Sequence, residues 1–200
     1  MKIGAILLTV SISALAGSIL PAVLQARSSA PVAIGAVVPR EVTFKDIDGK
    51  DHSFGDYRGK VVFIHFWSIV CPAEKAAEPK CIALQKAYGD KGVVQIAVNA
   101  NQGEIAGGPP YASLREHVQT AGVNFLIAVD PGNKLTDVLG GQSTPHCFVI
   151  DKDGVLRYSG ALDDDPRGGK GAGTTAYVRD AIESVLAGKP VAVPTTKPYG

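Results

Sequence analysis

The sequence predicts an α/β domain in which helices cover both faces of a central mixed sheet. Apolar runs of strand length alternate with segments whose apolar residues recur at helical spacing, as in parallel strands joined by helices. Two further strand-like runs flank Asp153-Gly154, which predicts an antiparallel hairpin, and a last helical segment follows them. At 200 residues the chain is long enough to bury a sizeable core, and it shows no internal repeat.

The same patterns place the individual elements. An N-terminal hairpin extension is predicted where Asp48-Gly49 separates two short strand-like runs, 42–44 and 52–54. Pro72 suits the first position of a long helix, and residues 99–113 are predicted as an irregular insert because they contain Gly107-Gly-Pro-Pro110. The other predicted strands are 61–67, 93–98, 125–129, 147–151 and 155–158, and the other predicted helices are 114–121, 133–139 and 177–186.

The N-terminal segment has the features of a secretory signal peptide. Lys2 precedes a stretch without charge, residues 3–26, which ends in small side chains suited to cleavage. The alternative is an uncleaved membrane anchor formed by residues 3–26, since a stretch of this length can span a bilayer. The predicted division of the chain is a signal peptide (1–26), a flexible leader (27–38), the folded domain (39–190) and an extended tail (191–200).

The signal-peptide features predict an exported protein, periplasmic or secreted, and its balanced charge argues against nucleic-acid binding. Without residues 1–26 the basic side chains fall from 20 to 19 and equal the 19 acidic ones, so no strongly basic surface is predicted. Export implies an oxidising compartment, and no integral membrane role is expected if the signal peptide is cleaved. Three cysteines are too few to staple a fold, and an odd number leaves at least one thiol without a partner in the chain.

Cys71 is the candidate reactive residue. It lies between the apolar run 61–66 and Pro72, and therefore at a predicted strand-to-helix turn. The first turn of a helix has unpaired N–H groups and a positive dipole end, which stabilise a thiolate, the nucleophilic form of cysteine. Position 74 is Glu, so the segment from Cys71 to Glu74 holds one thiol and cannot form an internal disulfide.

The segment around Cys71 resembles the active site of thioredoxin-fold proteins, which share the Trp four residues before the nucleophile and the Pro eight residues after it, here Trp67 and Pro79. The run from Ser68 to Glu74, with Val-Cys-Pro at its centre, is similar to the peroxiredoxin signature. Thr144-Pro145, just before a predicted strand, matches the cis-proline loop of thioredoxin-fold proteins. From roughly residue 39 to 190 the chain resembles the peroxiredoxin-like redoxins, the branch of alkyl hydroperoxide reductase and thiol-specific antioxidant, with CxxE in place of CxxC.

The resemblance implies a thioredoxin-like fold with an N-terminal hairpin extension, and it implies the site residues. Cys71 is then the nucleophile, and Ser68 shapes its surroundings. His65 occupies the place of a buried acid that assists proton transfer in thioredoxins; the alternative is a histidine held in the core. Thr144 and Pro145 are predicted to form the substrate loop, with a cis peptide bond between them.

The two remaining cysteines have different expected roles. Cys147 follows Pro145 by two residues and is a candidate resolving cysteine, unless strand alternation turns its side chain into the core. Cys81 is ten residues beyond Cys71, a distance of roughly 15 Å along a helix, which is too far for a disulfide. One-cysteine chemistry is therefore predicted, in which Cys71 is oxidised alone and reduced by an external thiol or a thioredoxin-like reductant.

Three functions are consistent with the sequence. The leading hypothesis is an exported thiol-dependent oxidoreductase that reduces peroxides in the manner of a peroxiredoxin. The arginine that helps peroxiredoxins hold peroxide corresponds to Pro145, which counts against that hypothesis. The second is a thiol–disulfide exchange protein acting on disulfides of other exported proteins, and the third is a non-catalytic binding module. No cofactor and no metal are predicted, because Cys71, Cys147 and His146 lack the usual ligand spacing.

Overall fold

A computed structural model describes residues 30–200. Its strands are β1 (Thr43–Asp46), β2 (Asp51–Ser53), β3 (Val61–Phe66), β4 (Val93–Asn99), β5 (Leu126–Val129), β6 (Cys147–Ile150) and β7 (Leu156–Gly160). Its α-helices are α1 (Pro72–Tyr88), α2 (Gln102–Ile105), α3 (Ala112–Ala121), α4 (Lys134–Leu139) and α5 (Tyr177–Leu186). In this part of the chain the strands form one sheet in the order β2-β1-β5-β4-β3-β6-β7.

The sheet is mixed, as the sequence predicts. Strands β3, β4 and β5 are parallel neighbours, whereas β6 runs antiparallel to β3 and forms a hairpin with β7. The N-terminal hairpin of β1 and β2 adds to the other side through an antiparallel pairing of β1 with β5. This is the thioredoxin-like α/β arrangement with an N-terminal hairpin extension, so the predicted fold class is confirmed.

The central strand β3 is buried along its whole length, since every residue of its sequence VVFIHF is inaccessible. Parallel strands covered on both faces read as such continuous apolar runs. Side chains alternate between the faces, so Phe63 and Trp67 join the core beneath α1, α3 and α5, whereas Val62 and Ile64 join the core on the opposite face. By the same alternation His65 lies on the face of α1, and the register pairs it with Cys147 of β6.

The two segments outside the predicted domain contact the sheet. Within residues 27–38, predicted as a flexible leader, the Gly35 amide donates to the Leu156 carbonyl of β7 at 2.8 Å, and the Val32 amide donates to the Val138 carbonyl of α4. In the tail, Thr195 forms a bridge with Ser159 of β7. The insert predicted as irregular contains the short helix α2.

The signal peptide predicted over residues 1–26 lies outside the described residues. Within residues 30–200, no helix combines the length and the apolar character needed to cross a bilayer.

Candidate active site

Cys71 lies at the N-terminus of α1, at the end of the turn that connects β3 to the helix. It is the N-cap residue with extended backbone, φ −76° and ψ 121°, and its carbonyl accepts from the Lys75 amide at 3.1 Å. Pro72 follows at the first helical position, where a missing N–H removes no helical hydrogen bond. Cys71 is partly exposed, and its thiol donates to the carbonyl oxygen of Thr144 at 3.0 Å.

The loop that faces Cys71 carries the predicted substrate residues. The peptide bond between Thr144 and Pro145 is cis, as the sequence predicts, and Pro145 is buried directly before β6. The structure therefore brings Cys71 together with Thr144, which lies 73 residues further along the chain.

Ser68 belongs to a network that holds the loop before Cys71. Its hydroxyl donates to the carboxylate of Glu104, on α2, and accepts from the Asn101 side-chain amide at 3.2 Å. The same carboxylate accepts from the backbone amide of Ile69 at 3.2 Å and from the Asn99 side chain at 2.6 Å. Glu104 thus connects Ser68 to the turn that leads to Cys71.

Glu104 was missed by reading the sequence, although the chain offers a signal for it. Asn101 caps α2 by accepting from the Gly103 amide at 3.0 Å, and Glu104 stands three residues after it. A capping residue followed three positions later by Glu is a helix-start pattern. That pattern would have placed a helix, and with it a carboxylate, inside the insert.

A buried carboxylate, Glu78, anchors the Trp67 ring. It lies on the buried face of α1 and accepts from Trp67 Nε1 at 2.8 Å. His117 of α3 contacts both of its oxygens through Nε2 at 2.9 Å. The indole therefore has a fixed orientation beneath the loop that leads to Cys71.

His65 lies with Glu74 in the core. Its ring is fully buried, stacks on Phe63 at 5.4 Å and meets Phe125 edge-on at 5.3 Å. Its Nε2 is 3.6 Å from Glu74 Oε1, beyond normal hydrogen-bond length. Glu74 does not sit on an exposed first turn: only 1% of it is accessible, and burial raises the pKa of its carboxyl, an effect the nearby His65 ring opposes in part.

The other two thiols differ from Cys71. Cys81 and Cys147 are both fully buried and free, and burial raises the pKa of each thiol well above its ordinary value. The negative charge of Glu74 adds to both effects. Cys147 thus faces the core, the alternative left open by strand alternation, while Cys71 is the accessible thiol of the described residues.

His146 is turned to the other face of the sheet from its neighbour Cys147. Its Nδ1 accepts from the Gln142 amide at 3.3 Å, its Nε2 contacts the Ser159 hydroxyl at 3.1 Å, and its ring packs on Phe148. Burial lowers the pKa of His146 to about 4. Both ring nitrogens are occupied, so His146 is held in place by the surrounding protein.

A groove runs beside the start of α1. It is lined by Pro72, Ala73, Ala76, Pro166, Arg167, Tyr199 and Gly200. The tail forms one wall, because the Ser143 hydroxyl donates to the Tyr199 carbonyl at 3.4 Å and the Tyr199 hydroxyl donates to Asp163 at 2.8 Å. Gly200 packs against the backbone of Thr144, next to the Cys71 thiol. Apolar walls and a backbone carbonyl near the thiol suit an extended peptide.

Comparison with known proteins gives one matching family model and several relatives with similar sequences. The family model described as Redoxin matches residues 30–176. The thiol-disulfide oxidoreductase ResA of Geobacillus thermodenitrificans is 30% identical over 126 residues, which cover 63% of this chain and 68% of the relative. ResA of Bacillus thuringiensis is 36% identical over 124 residues, covering 62% of this chain and 66% of the relative. The chain thus spans about two thirds of the length of these relatives.

Solved structures with similar folds include a hypothetical protein from Sinorhizobium meliloti, 23% identical with a TM-score of 0.71, over 84% of this chain and 93% of that one. A structure from Chlorobium tepidum, assigned as the thiol:disulfide interchange protein DsbE, is 21% identical with a TM-score of 0.61. It matches over 78% of this chain and 99% of that one. At these identities the likeness shows the thioredoxin-like fold.

Proposed function

Because the chain belongs to the redoxin family, we propose that it is an exported thiol-dependent oxidoreductase that exchanges disulfides of other proteins through Cys71 alone. The observation that carries this proposal is the placement of one accessible thiol at a helix N-terminus, 3.0 Å from the carbonyl of Thr144. The relatives named thiol-disulfide oxidoreductase support the reaction class.

The reaction begins with the Cys71 thiolate attacking one sulfur of a substrate disulfide. The substrate S–S bond breaks, a bond forms between the Cys71 sulfur and the substrate, and the other substrate sulfur leaves as a thiolate. A second thiol, supplied by the substrate or by an external reductant, then attacks the mixed disulfide and releases Cys71. The groove and the loop of Thr144 and Pro145 hold the peptide on either side of the attacked sulfur.

The chain's own residues support a one-cysteine cycle. Glu74 stands where a CxxC motif has its second sulfur, and Cys81 and Cys147 are buried thiols whose raised pKa values keep them protonated. A thiol is a poor nucleophile compared with a thiolate, so neither is suited to attack a mixed disulfide on Cys71. The reductant is therefore an external thiol or a thioredoxin-like protein.

Peroxide reduction, the leading hypothesis from the sequence, has weaker support than the exchange reaction. Its basis is the peroxiredoxin-like run from Ser68 to Glu74. However, the hydroxyl of Ser68 is engaged by Glu104, and Pro145 stands where peroxiredoxins place an arginine. A developing oxyanion at Cys71 would lack that cation.

Intact mass of the reduced protein tests the proposal. The protein is mixed with a disulfide-linked peptide pair, quenched in acid, and compared with Cys71→Ser, Cys81→Ser and Cys147→Ser variants. We expect a peptide adduct on wild type and on the two core variants, and none on Cys71→Ser. In a parallel reaction, equimolar hydrogen peroxide should consume the Cys71 thiol more slowly than the peptide disulfide does.

Three outcomes would overturn parts of this proposal. Faster reaction with peroxide would make the protein a peroxidase. A Cys71 that reacts with neither oxidant, and that alkylates no faster than Cys81 at pH 7, would make it a binding module. A Cys71–Cys147 disulfide in most molecules after one equivalent of oxidant would replace the one-cysteine cycle by a two-cysteine cycle.

A further inference from the structure

Three chemically different side chains meet in the core behind Cys71. His65 comes from β3, and Glu74 and Cys81 come from the buried face of α1, two turns apart. Their exposed fractions are 0%, 1% and 0%. One ligand atom from each, a ring nitrogen, a carboxylate oxygen and the sulfur, lie within 4.8 Å of one another.

The polar atoms of this cluster lack hydrogen bonds. Both ring nitrogens of His65 and both oxygens of Glu74 are buried without a hydrogen-bond partner in the described part of the chain. A buried polar atom without a partner lowers the stability of the fold. The neighbouring buried carboxylate, Glu78, has three hydrogen-bond contacts, so the fold is able to satisfy a carboxylate on this helix face. The unsatisfied atoms of His65 and Glu74 converge with Cys81 on one point.

The spacing fits a tetrahedral metal ion. Nitrogen and oxygen ligands lie about 2.0–2.2 Å from Zn²⁺, so two of them at tetrahedral positions are roughly 3.3–3.6 Å apart. The separation of His65 Nε2 from Glu74 Oε1 is 3.6 Å, and Cys81 Sγ lies within the same 4.8 Å group. Bonding distance around one centre is reached when the three atoms move closer together within this group.

The charges of the cluster balance with a divalent ion. A neutral imidazole, one carboxylate and one thiolate carry two negative charges, which one divalent cation cancels. Without an ion, burial disfavours the charged forms of Glu74 and Cys81, which are 1% and 0% exposed. Binding forms one bond from the metal to each of the three side chains, and any proton held by the carboxyl or the thiol leaves to solvent as its bond to the metal forms.

We propose that His65, Glu74 and Cys81 form a binding site for one divalent ion of the zinc class. Imidazole and thiolate favour Zn²⁺ and Co²⁺ over Mg²⁺ and Ca²⁺, which prefer oxygen ligands. The ion ties α1 to β3 directly behind the reactive cysteine, and it takes its thiolate from Cys81, so that Cys71 stays free. This proposal departs from the sequence-based expectation of no metal.

Refolding tests the site, because an ion bound at buried ligands enters most readily before the core closes. The full-length protein is unfolded in guanidinium with a phosphine reductant. It is refolded with Zn²⁺ or Co²⁺ and dialysed against EDTA. We expect one retained ion per chain by mass spectrometry, and with Co²⁺ the visible bands of a tetrahedral, thiolate-bound site.

Matched variants assign the ligands. Glu74→Gln and Cys81→Ser preserve size and should lose the ion, and Cys81→Ser should also lose the thiolate-to-cobalt band. Glu78→Gln and Cys71→Ser should retain both, with folding of every variant checked by circular dichroism. If Cys81→Ser does not fold, Glu74→Gln decides. A wild-type chain that refolds without retaining an ion, or an ion that Cys71→Ser removes and Glu74→Gln keeps, would overturn the proposal.

Discussion

Two buried carboxylates on the same helix face, Glu74 and Glu78, show how differently one fold treats the same group. They lie one turn apart on α1 and are almost inaccessible, with 1% and 8% of their surface exposed. Glu78 accepts from Trp67 at 2.8 Å and contacts His117 at 2.9 Å, whereas Glu74 has no hydrogen-bond partner within residues 30–200 and lies 3.6 Å from His65. The two carboxylates are therefore alike in burial and differ in their hydrogen-bond partners.

The different hydrogen-bond partners of Glu74 and Glu78 indicate different roles for the two residues. Glu78 connects β3, α1 and α3 through a tryptophan and a histidine, which is a structural task. Glu74 takes the position of a second active-site sulfur and leaves its oxygens aimed at His65, which suits a ligand. Measurements of the free energy of unfolding can test this comparison. A buried carboxylate whose hydrogen bonds are made stabilises the fold, and one whose hydrogen bonds are missing does not.

The largest expected effect is at Glu78. Glu78→Ala leaves the Trp67 N–H and the His117 ring without their acceptor, and we expect the free energy of unfolding to fall by about 3 kcal/mol. Urea unfolding in EDTA, followed by tryptophan fluorescence, measures it. Lys75→Ala, an exposed change on the same helix, is the control. A loss below roughly 1 kcal/mol would mean that the Glu78 contacts contribute little beyond a surface ion pair.

Glu104 extends the comparison to a third carboxylate, one with several partners but less burial. Glu104→Ala removes the acceptor for Ser68, the Ile69 amide and Asn99, and a loss of about 2 kcal/mol is expected. The same change should alter the alkylation rate of Cys71 at pH 7, since the loop before it loosens. Gln102→Ala, on the exposed side of α2, should leave both quantities unchanged. Unaltered reactivity in Glu104→Ala would show that Glu104 stabilises the loop without positioning the thiol.

The sequence was a good guide wherever a pattern follows one element, and a poor one where elements meet. The alternation of apolar runs predicted the mixed sheet, and Cys71, Pro72 and the cis Thr144-Pro145 bond were predicted from local motifs. The inward position of Glu74 was not predicted, because a Glu in a first helical turn normally faces water. Inside the core it lies 3.6 Å from His65 of β3, a contact between two elements that no spacing along the chain reveals.

Two buried histidines show the same contrast. Both ring nitrogens of His146 have hydrogen-bond contacts, whereas those of His65 have none in the part of the chain that the structure describes. Burial lowers the pKa of His146 from 6.5 to about 4. The unfolded chain therefore binds a proton between these values that the folded chain does not. Stability from this group is complete above pH 6.5 and is lost as pH falls toward 4, by about 2 kcal/mol after allowance for solvent screening.

Unfolding of wild type and His146→Gln across that range measures the effect. The variant should lose less stability between pH 6.5 and pH 4, by the amount that His146 contributes. Equal pH dependence in the two proteins would show that other groups cause the acid sensitivity.

The smallest expected change in the free energy of unfolding gives the most decisive test. The same substitution should change stability in opposite directions at Glu74 and at Glu78. Glu74→Met replaces an unsatisfied buried carboxyl with an apolar side chain of similar size. In metal-free buffer we expect it to raise the free energy of unfolding by about 1 kcal/mol. Glu78→Met, the same exchange one turn later, should lower it, because Trp67 and His117 lose their acceptor. Both are measured by urea unfolding in EDTA.

If both substitutions destabilise the protein equally, Glu74 makes a stabilising hydrogen bond to His65 in the metal-free state. The contrast between the two residues would then be one of degree. If only Glu78→Met destabilises, the fold keeps Glu74 at a cost in stability, as expected for a residue retained for its chemistry rather than for packing.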